Sequence, residues 1–226
     1  MKLSVIVPIF NNERTLVAAL KALRIGAPQA EIVIVDGGGT DSGVELARTR
    51  CDRIVKGPAG RARQMNAGAA VSAGDVLAFV HSDTIVPSTF GSDIEVALAD
   101  PQVLGGSFDL ELDHRSPLMR MVAAAINLRS RLTRVAGGGH AIFMRRSVFE
   151  QLGGFAEIDF CEDLDMSRRL KRLGRVASLA SRVITPARRW RQEGIPETAV
   201  RLSLIRLLFM LGVNPTILRR IHSHRT

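Results

Sequence analysis

The chain has 226 residues, 46% of them hydrophobic and 23% charged, enough for one larger α/β domain with a real core and unlike a disordered, collagenous or coiled-coil chain. Two cysteines, Cys51 and Cys161, lie far apart without a C-x-x-C pair, so neither a disulfide framework nor a thiolate metal site is written here. The net charge of +9 is uneven: residues 1–114 hold 10 Lys and Arg against 14 Asp and Glu, residues 115–226 hold 21 against 8. A basic half of this kind suits an anionic partner such as nucleic acid, an acidic lipid surface or a phosphorylated substrate.

The opening MKLSVIVPIF holds one lysine, a short apolar run and a proline, which predicts a first strand over Leu3 to Ile9 and no signal peptide. Glu13 to Leu23 then spaces leucine and alanine as a helix does. A second β-branched run, Glu31 to Val35, stops at Asp36, turns through Gly37, Gly38 and Gly39, and restarts as helix after Thr40 and Asp41. Arg53 to Lys56 reads as a third strand, Arg61 to Val71 as a helix, and Asp75 to Val80 as a fourth strand that runs out into His81-Ser82-Asp83. Buried strands alternating with helices of about ten residues predict a mostly parallel sheet covered on both faces. Such sheets bind ligands at the carboxyl ends of their strands, where Asp36 and Asp83 stand.

Beyond residue 100 the pattern predicts a longer strand over Val103 to Leu112, a basic helix over Pro117 to Val135, a strand over Ala141 to Met144, and a helix running to Leu173. From Pro196 onward one apolar helix carrying Arg201, Arg206, Arg219 and Arg220 suits a final packed layer or a membrane surface. Its longest apolar stretch, Ala199 to Val213, is short of the roughly 20 residues that span a bilayer. No linker, repeat or low-complexity tract divides the chain, which predicts a single domain over 1–226.

Several residues carry chemistry. Asp36 before three glycines allows a carboxylate and backbone amides to approach a ligand closely. Asp83 suits a hard cation that shares its coordination with a diphosphate, or a simple Asx turn. Glu162, Asp163 and Asp165 crowd a helix start, where they complement its dipole or supply a general base whose pKa burial raises. Arg61, Arg63 and Asn66 open a helix that would attract phosphate. His140 reads as a packing residue, and Arg188-Arg189-Trp190 as a phosphate or ring contact or as a half-buried anchor.

Taken in order, SVIVPIFNNE, EIVIVDGGGTDSG, GRARQMNAGAAVSAGDVLAFVHSDT, GGGHAIFMRRSVFEQLGGF and CEDLDMSRRLKRLG resemble the family 2, GT-A fold glycosyltransferases over nearly the whole length, and most of all their short soluble bacterial subgroup. The resemblance implies a Rossmann-like sheet with a donor part over 1–114 and an acceptor part with a basic C-terminal helix over 115–226. It implies that Pro8 and Phe10 line the nucleotide base, Asp36 binds base or ribose, and Arg61, Asn66 and Ser82 approach the nucleotide. Asp83 then ligates Mn²⁺ or Mg²⁺, with His81 in place of the first aspartate of D-x-D as a possible nitrogen ligand, and Asp163 acts as base beside Glu162. Phe10 stands where the family often has tyrosine, and Gly37 where it commonly has a second aspartate.

The implied activity is inverting, metal-dependent transfer from a UDP- or GDP-sugar to an unidentified acceptor, lipid-linked or phosphorylated acceptors being favoured by the basic half. It would be cytoplasmic, with peripheral contact at the inner membrane face left open. Two other readings stand beside it: a nucleotidyltransferase, although Asn11-Asn12-Glu13 lacks the glycine-rich loop, and a non-catalytic module for an anionic partner. Nucleic acid is not expected, because aromatic residues make up only 4% and give no stacking surface.

Overall fold

β-branched and aliphatic runs bounded by polar turns fold as buried strands in the computed structural model, which describes residues 1–114 and 116–223. β1 (Leu3–Ile9), β2 (Glu31–Asp36), β3 (Arg53–Lys56), β4 (Val76–Phe79), β5 (Val103–Leu112), β6 (Ile142–Arg145) and β7 (Arg175–Thr185) form one sheet in the order β3-β2-β1-β4-β6-β5-β7. Only β6 runs against its neighbours; all other pairings are parallel. The carboxyl ends of β1, β2 and β4 therefore open on the same edge of the sheet.

Among the described residues ten α-helices flank it: α1 (Glu13–Gly26), α2 (Gly43–Ala47), α3 (Arg61–Val71), α4 (Phe90–Leu98), α5 (Pro117–Thr133), α6 (Arg146–Gln151), α7 (Glu162–Leu173), α8 (Arg188–Glu193), α9 (Ile195–Met210) and α10 (Pro215–Ser223). The period-two alternation of strand side chains splits the core in two. Val5, Val7 and Ile9 pack with Leu16, Leu20 and Leu23 of α1 and with Phe90 and Ile94 of α4. Ile6, Val33, Val35 and Phe79 face the other way, against Ala62, Met65 and Ala69 of α3 and Met166 and Leu170 of α7. A third, smaller cluster joins Cys161 to Ile205, Phe209 and Leu218, so α9 and α10 fold back onto the head of α7.

The expected α/β architecture with a mostly parallel sheet is present. Three elements differ from the sequence reading. β7 is an edge strand of small, arginine-interrupted sequence in which only Val183 is buried, so its hydropathy carries little signal. α4 falls in a stretch to which the sequence reading assigned no element. The apolar C-terminal helix is two, broken at Gly212, whose φ of +86° ends α9. Among the described residues no helix is long and apolar enough to cross a membrane.

α3 lies unusually close to the sheet. A Cβ at Gly68 would stand 2.5 Å from Ile6 Cγ2 and 2.8 Å from Val35 Cγ2. Gly68→Ala is accordingly expected to push α3 off β1 and β2 and to destabilise the fold by about 1–3 kcal/mol, read as a lower Tm in calorimetry; an unchanged Tm would show that the helix gives way freely.

Candidate active site

The loops after β1 and β2 are latched together. Asp36 ends β2, and its Oδ1 accepts the N–H groups of Gly38 (2.9 Å) and Gly39 (3.2 Å), so the glycine turn wraps its carboxylate. Asn11, held at φ 53°, accepts the Thr40 N–H at 2.8 Å. Behind both loops the buried Gln64 of α3 donates through Nε2 to the carbonyls of Ile9 (2.8 Å) and Val35 (2.9 Å). Gly37 is required there, since a Cβ would lie 2.8 Å from Gln64 Nε2. The result is a shelf at the strand ends with Pro8 buried beneath it and the Phe10 ring exposed on it.

The second wall comes from β4 and α7. His81, Ser82 and Asp83 follow β4, with Ser82 buried and the His81 carbonyl accepting the Thr84 N–H in a tight turn. Opposite them, α7 starts abruptly after Cys161, which takes the left-handed conformation (φ 65°), placing Glu162 and Asp163 in a buried first turn. Both carboxyl groups thus stand at the positive end of the helix dipole. His81 Nε2 lies 3.8 Å from Asp163 Oδ2. Arg61, the first residue of α3, closes the gap: its Nη1 donates to Glu162 Oε1 at 3.0 Å, while half of its side chain stays open to solvent (52%). The same guanidinium acts electrostatically on Asp163 and on Asp83.

Burial sets the protonation of the cleft. It lifts the Asp163 carboxyl, the neighbouring Glu162 charge lifts it further, and Arg61 only partly offsets them, leaving it at about 8. Burial also raises Asp83 against the opposing pull of Arg61 and Arg188. His81 is driven well below its ordinary value by burial and then by Arg61, so it is a neutral imidazole. Burial and Glu162 push the Cys161 thiol up to about 12, which makes it unreactive.

Other candidates have structural partners. Both ends of the Asn66 amide bond to Phe155, accepting its N–H at 2.8 Å and donating to its carbonyl at 2.9 Å, so Asn66 holds the main chain that follows the Gly153-Gly154 turn. Asp165 pairs with Arg169 at 2.7 Å. His140 is buried with Nδ1 2.9 Å from the Phe108 carbonyl, and Trp190 is buried in the main core. Arg188, for which the sequence left a phosphate contact, a ring contact or a half-buried anchor open, acts electrostatically on Asp83. Gln64 and the C-terminal His222, whose ring lies 4.5 Å from that of Phe160, carry no recognisable local motif.

Among the described residues no group of three or more His, Cys, Asp or Glu side chains gathers as a metal cage. Asp83 and the neutral His81 offer one oxygen and one nitrogen donor. That number fits a cation that keeps most of its positions for water and substrate phosphate, and not one held by protein alone.

The family model described as Glycosyl transferase family 2 matches residues 4–153. No curated protein matches the chain. Among solved structures, Staphylococcus aureus TarS 1-349 in complex with UDP superposes with a TM-score of 0.66 at 20% identity, covering 82% of this chain and 60% of that one. TarS 1-349 in complex with UDP-GlcNAc gives the same score and identity over 82% and 58%. The mannosyltransferase PcManGT from Pyrobaculum calidifontis in complex with GDP-Man and Mn²⁺ gives 0.64 at 18% identity over 91% and 60%. The chain thus spans about 60% of the length of these structures, and at such identities the likeness is one of fold.

A carboxyl that is protonated in the folded state but ionised in the unfolded chain favours folding at low pH and loses that contribution as pH rises through its folded pKa. An unfolded aspartate titrates near 3.9, so this part of the stability should decline between about pH 4 and the Asp163 value of about 8. In metal-free protein, the Tm of Asp163→Asn relative to the parent is expected to climb steadily across that window. A difference that stays flat with pH would mean that Asp163 titrates as an ordinary carboxylate.

Proposed function

Because this chain belongs to glycosyl transferase family 2, we propose that it transfers a sugar from a nucleoside-diphosphate donor, UDP- or GDP-linked, to an acceptor hydroxyl with inversion and with the help of a divalent cation. The observation that carries this reading is the meeting of the end of β4 with the head of α7 across Arg61, which gives one cleft two carboxyl groups of different character. The UDP and GDP donors held by neighbours of the same fold support the donor class.

In this reading Phe10 and Pro8 bear the base, Asp36 addresses the base or ribose, and Ser82 lies beneath the diphosphate with Arg61 and Arg188 facing its charge. Asp83 and His81 would hold Mn²⁺ or Mg²⁺, which when bound neutralises charge on the departing diphosphate. Asp163 accepts the proton of the acceptor hydroxyl. The acceptor oxygen bonds to the anomeric carbon as the bond from that carbon to the diphosphate oxygen breaks, and the electron pair leaves with the diphosphate. One in-line displacement of this kind inverts the anomeric centre. A pKa of about 8 suits a group that must collect a proton at neutral pH better than a fully solvated aspartate would. Glu162, tied to Arg61, keeps Asp163 basic and positions the guanidinium.

The same proposal treats 1–226 as one domain, donor residues coming from 1–114 and the acceptor side from 115–226; Arg115 and residues 224–226 of that span lie outside the described residues. It also takes the protein to the cytoplasmic face of a membrane. α5 leaves Leu118, Met121, Leu128 and Leu132 exposed along one side, and α9 leaves Val200, Leu204, Leu207 and Met210 exposed. Apolar stripes set in a strongly basic half fit an anionic lipid surface.

Asp163→Asn is expected to lower the transfer rate by about 10²–10⁴ while leaving titrated UDP or GDP affinity within a few fold, and Asp83→Asn to remove the manganese dependence of donor binding. Undiminished turnover by Asp163→Asn would refute the assigned base. The chain should also co-sediment with phosphatidylglycerol vesicles and not with phosphatidylcholine ones, and the Leu128→Asp/Leu207→Asp double variant should lose this; no preference between the two vesicles would remove the membrane reading.

A further inference from the structure

Several arginines of the second half have an answering oxygen. Arg131 grips Asp109 with two N–H bonds of 3.1 and 2.6 Å. Arg145 and Arg146 spend theirs on main-chain carbonyls at β4, β5 and the loops beside them. Arg129 of α5 and Arg206 of α9 break this pattern. Arg129 Nε and Arg206 Nη1 are shut off from solvent yet make no hydrogen bond among the described residues, and neither side chain is ion-paired there.

The two guanidinium groups are also close enough to disfavour one another. Burial first, and the charge of Arg129 second, bring Arg206 down to about 10, and burial lowers Arg129 as well. Both act on the buried His140, which burial holds at about 4 and therefore neutral. With Phe108 O able only to accept, the His140 Nδ1 must donate to it, so the imidazole adds no charge of its own. Two like charges held together at half-buried positions without a counter-charge are unfavourable; an anion bound between them would offset that repulsion.

A Cβ placed on Gly137 would stand 3.8 Å from Arg206 Nη2 and 4.0 Å from Leu164 Cδ2, so this guanidinium lies between the glycine loop and the first turn of α7, on the acid side of the cleft. Arg206 acts on the Cys161 thiol, which also feels Glu162 and Asp163. The pair therefore sits beside the head of α7, whereas Arg61 and Arg188 serve Asp83.

We propose that Arg129 and Arg206 form a second anion subsite, distinct from the donor's, that takes a phosphate group carried by the acceptor and so brings its hydroxyl to Asp163. The assignment to the acceptor rests on Asp163 being the base. A phosphate monoester is preferred to a carboxylate because its charge of nearly two matches two guanidinium groups, each able to donate a forked pair of N–H bonds.

Calorimetric titration with inorganic phosphate, without donor or metal, tests this. Arg129→Gln and Arg206→Gln should each weaken phosphate binding about tenfold or more, the double variant should abolish it, and all three should bind UDP or GDP with Mn²⁺ as the parent does. Phosphate binding that survives in the double variant, or is absent from the parent, overturns the subsite. Parallel loss of nucleotide binding also overturns it, by assigning both arginines to the donor. If the parent binds phosphate through these arginines but binds no nucleotide, the subsite stands and the transferase reading falls. Should a glutamine variant fail to fold, Arg206→Lys, which keeps the charge and loses the fork, should weaken phosphate and spare nucleotide; equal phosphate affinity would count against the site. Competition by glycerol 3-phosphate assigns a water-soluble phosphate ester, competition only by phosphatidic acid vesicles assigns a lipid headgroup, and competition by neither contradicts the proposal.

Discussion

The Arg61 guanidinium is the tie on which this cleft depends. It bonds Glu162 across 101 residues of sequence and extends its field to Asp163 and Asp83. Burial and the neighbouring Glu162 charge push Asp163 toward its neutral form, burial pushes Asp83 the same way, and the Arg61 cation opposes both. With half of its side chain in solvent, Arg61 relieves part of that strain without itself being desolvated outright. The balance leaves Asp163 titrating near neutrality, in the range where a carboxylate can accept a proton and still release it.

The tie works because α3 is fixed at several points along its length. Gln64 stitches the ends of β1 and β2, Asn66 clasps the main chain of Phe155, and Gly68 lets the helix sink onto Ile6 and Val35. Arg61 is thus presented at the sheet edge from a rigid support, and the turn through Gly153 and Gly154 is set before α7 begins. Arg169 adds to this by pairing with Asp165 and bonding the carbonyls of Leu152 and Gly154. Helix and turn are thus joined by polar contacts from the sheet to the first turn of α7.

Much of this was legible in the residues. The runs of β1, β2 and β4 announce buried strands because a parallel sheet demands aliphatic side chains on both faces, and the parallel order of these three fixes Asp36 and Asp83 at one edge. What escaped was of two kinds. The weakly apolar β7 takes its form from its neighbours, and Gly212 breaks a helix that its flanking leucines would continue. The roles of Gln64 and Asn66 and the pairing of Arg61 with Glu162 depend on contacts spanning 29 to 101 residues, for which local spacing holds no signal. Asn66 shows the difference most clearly: its place at a helix start suggested a ligand contact, and tertiary structure uses both of its hydrogen-bonding ends elsewhere.

A crystal soaked with UDP or GDP and Mn²⁺ is the most direct test of the cleft as a whole. The account expects anomalous density for manganese at Asp83 with the diphosphate toward Arg61 and Arg188, the base on Phe10, and the Asp163 carboxyl facing the open space beyond the terminal phosphate. Nucleotide bound away from these strand ends, or a metal bridged by neither Asp83 nor His81 with Asp163 turned from the ligand, would contradict it.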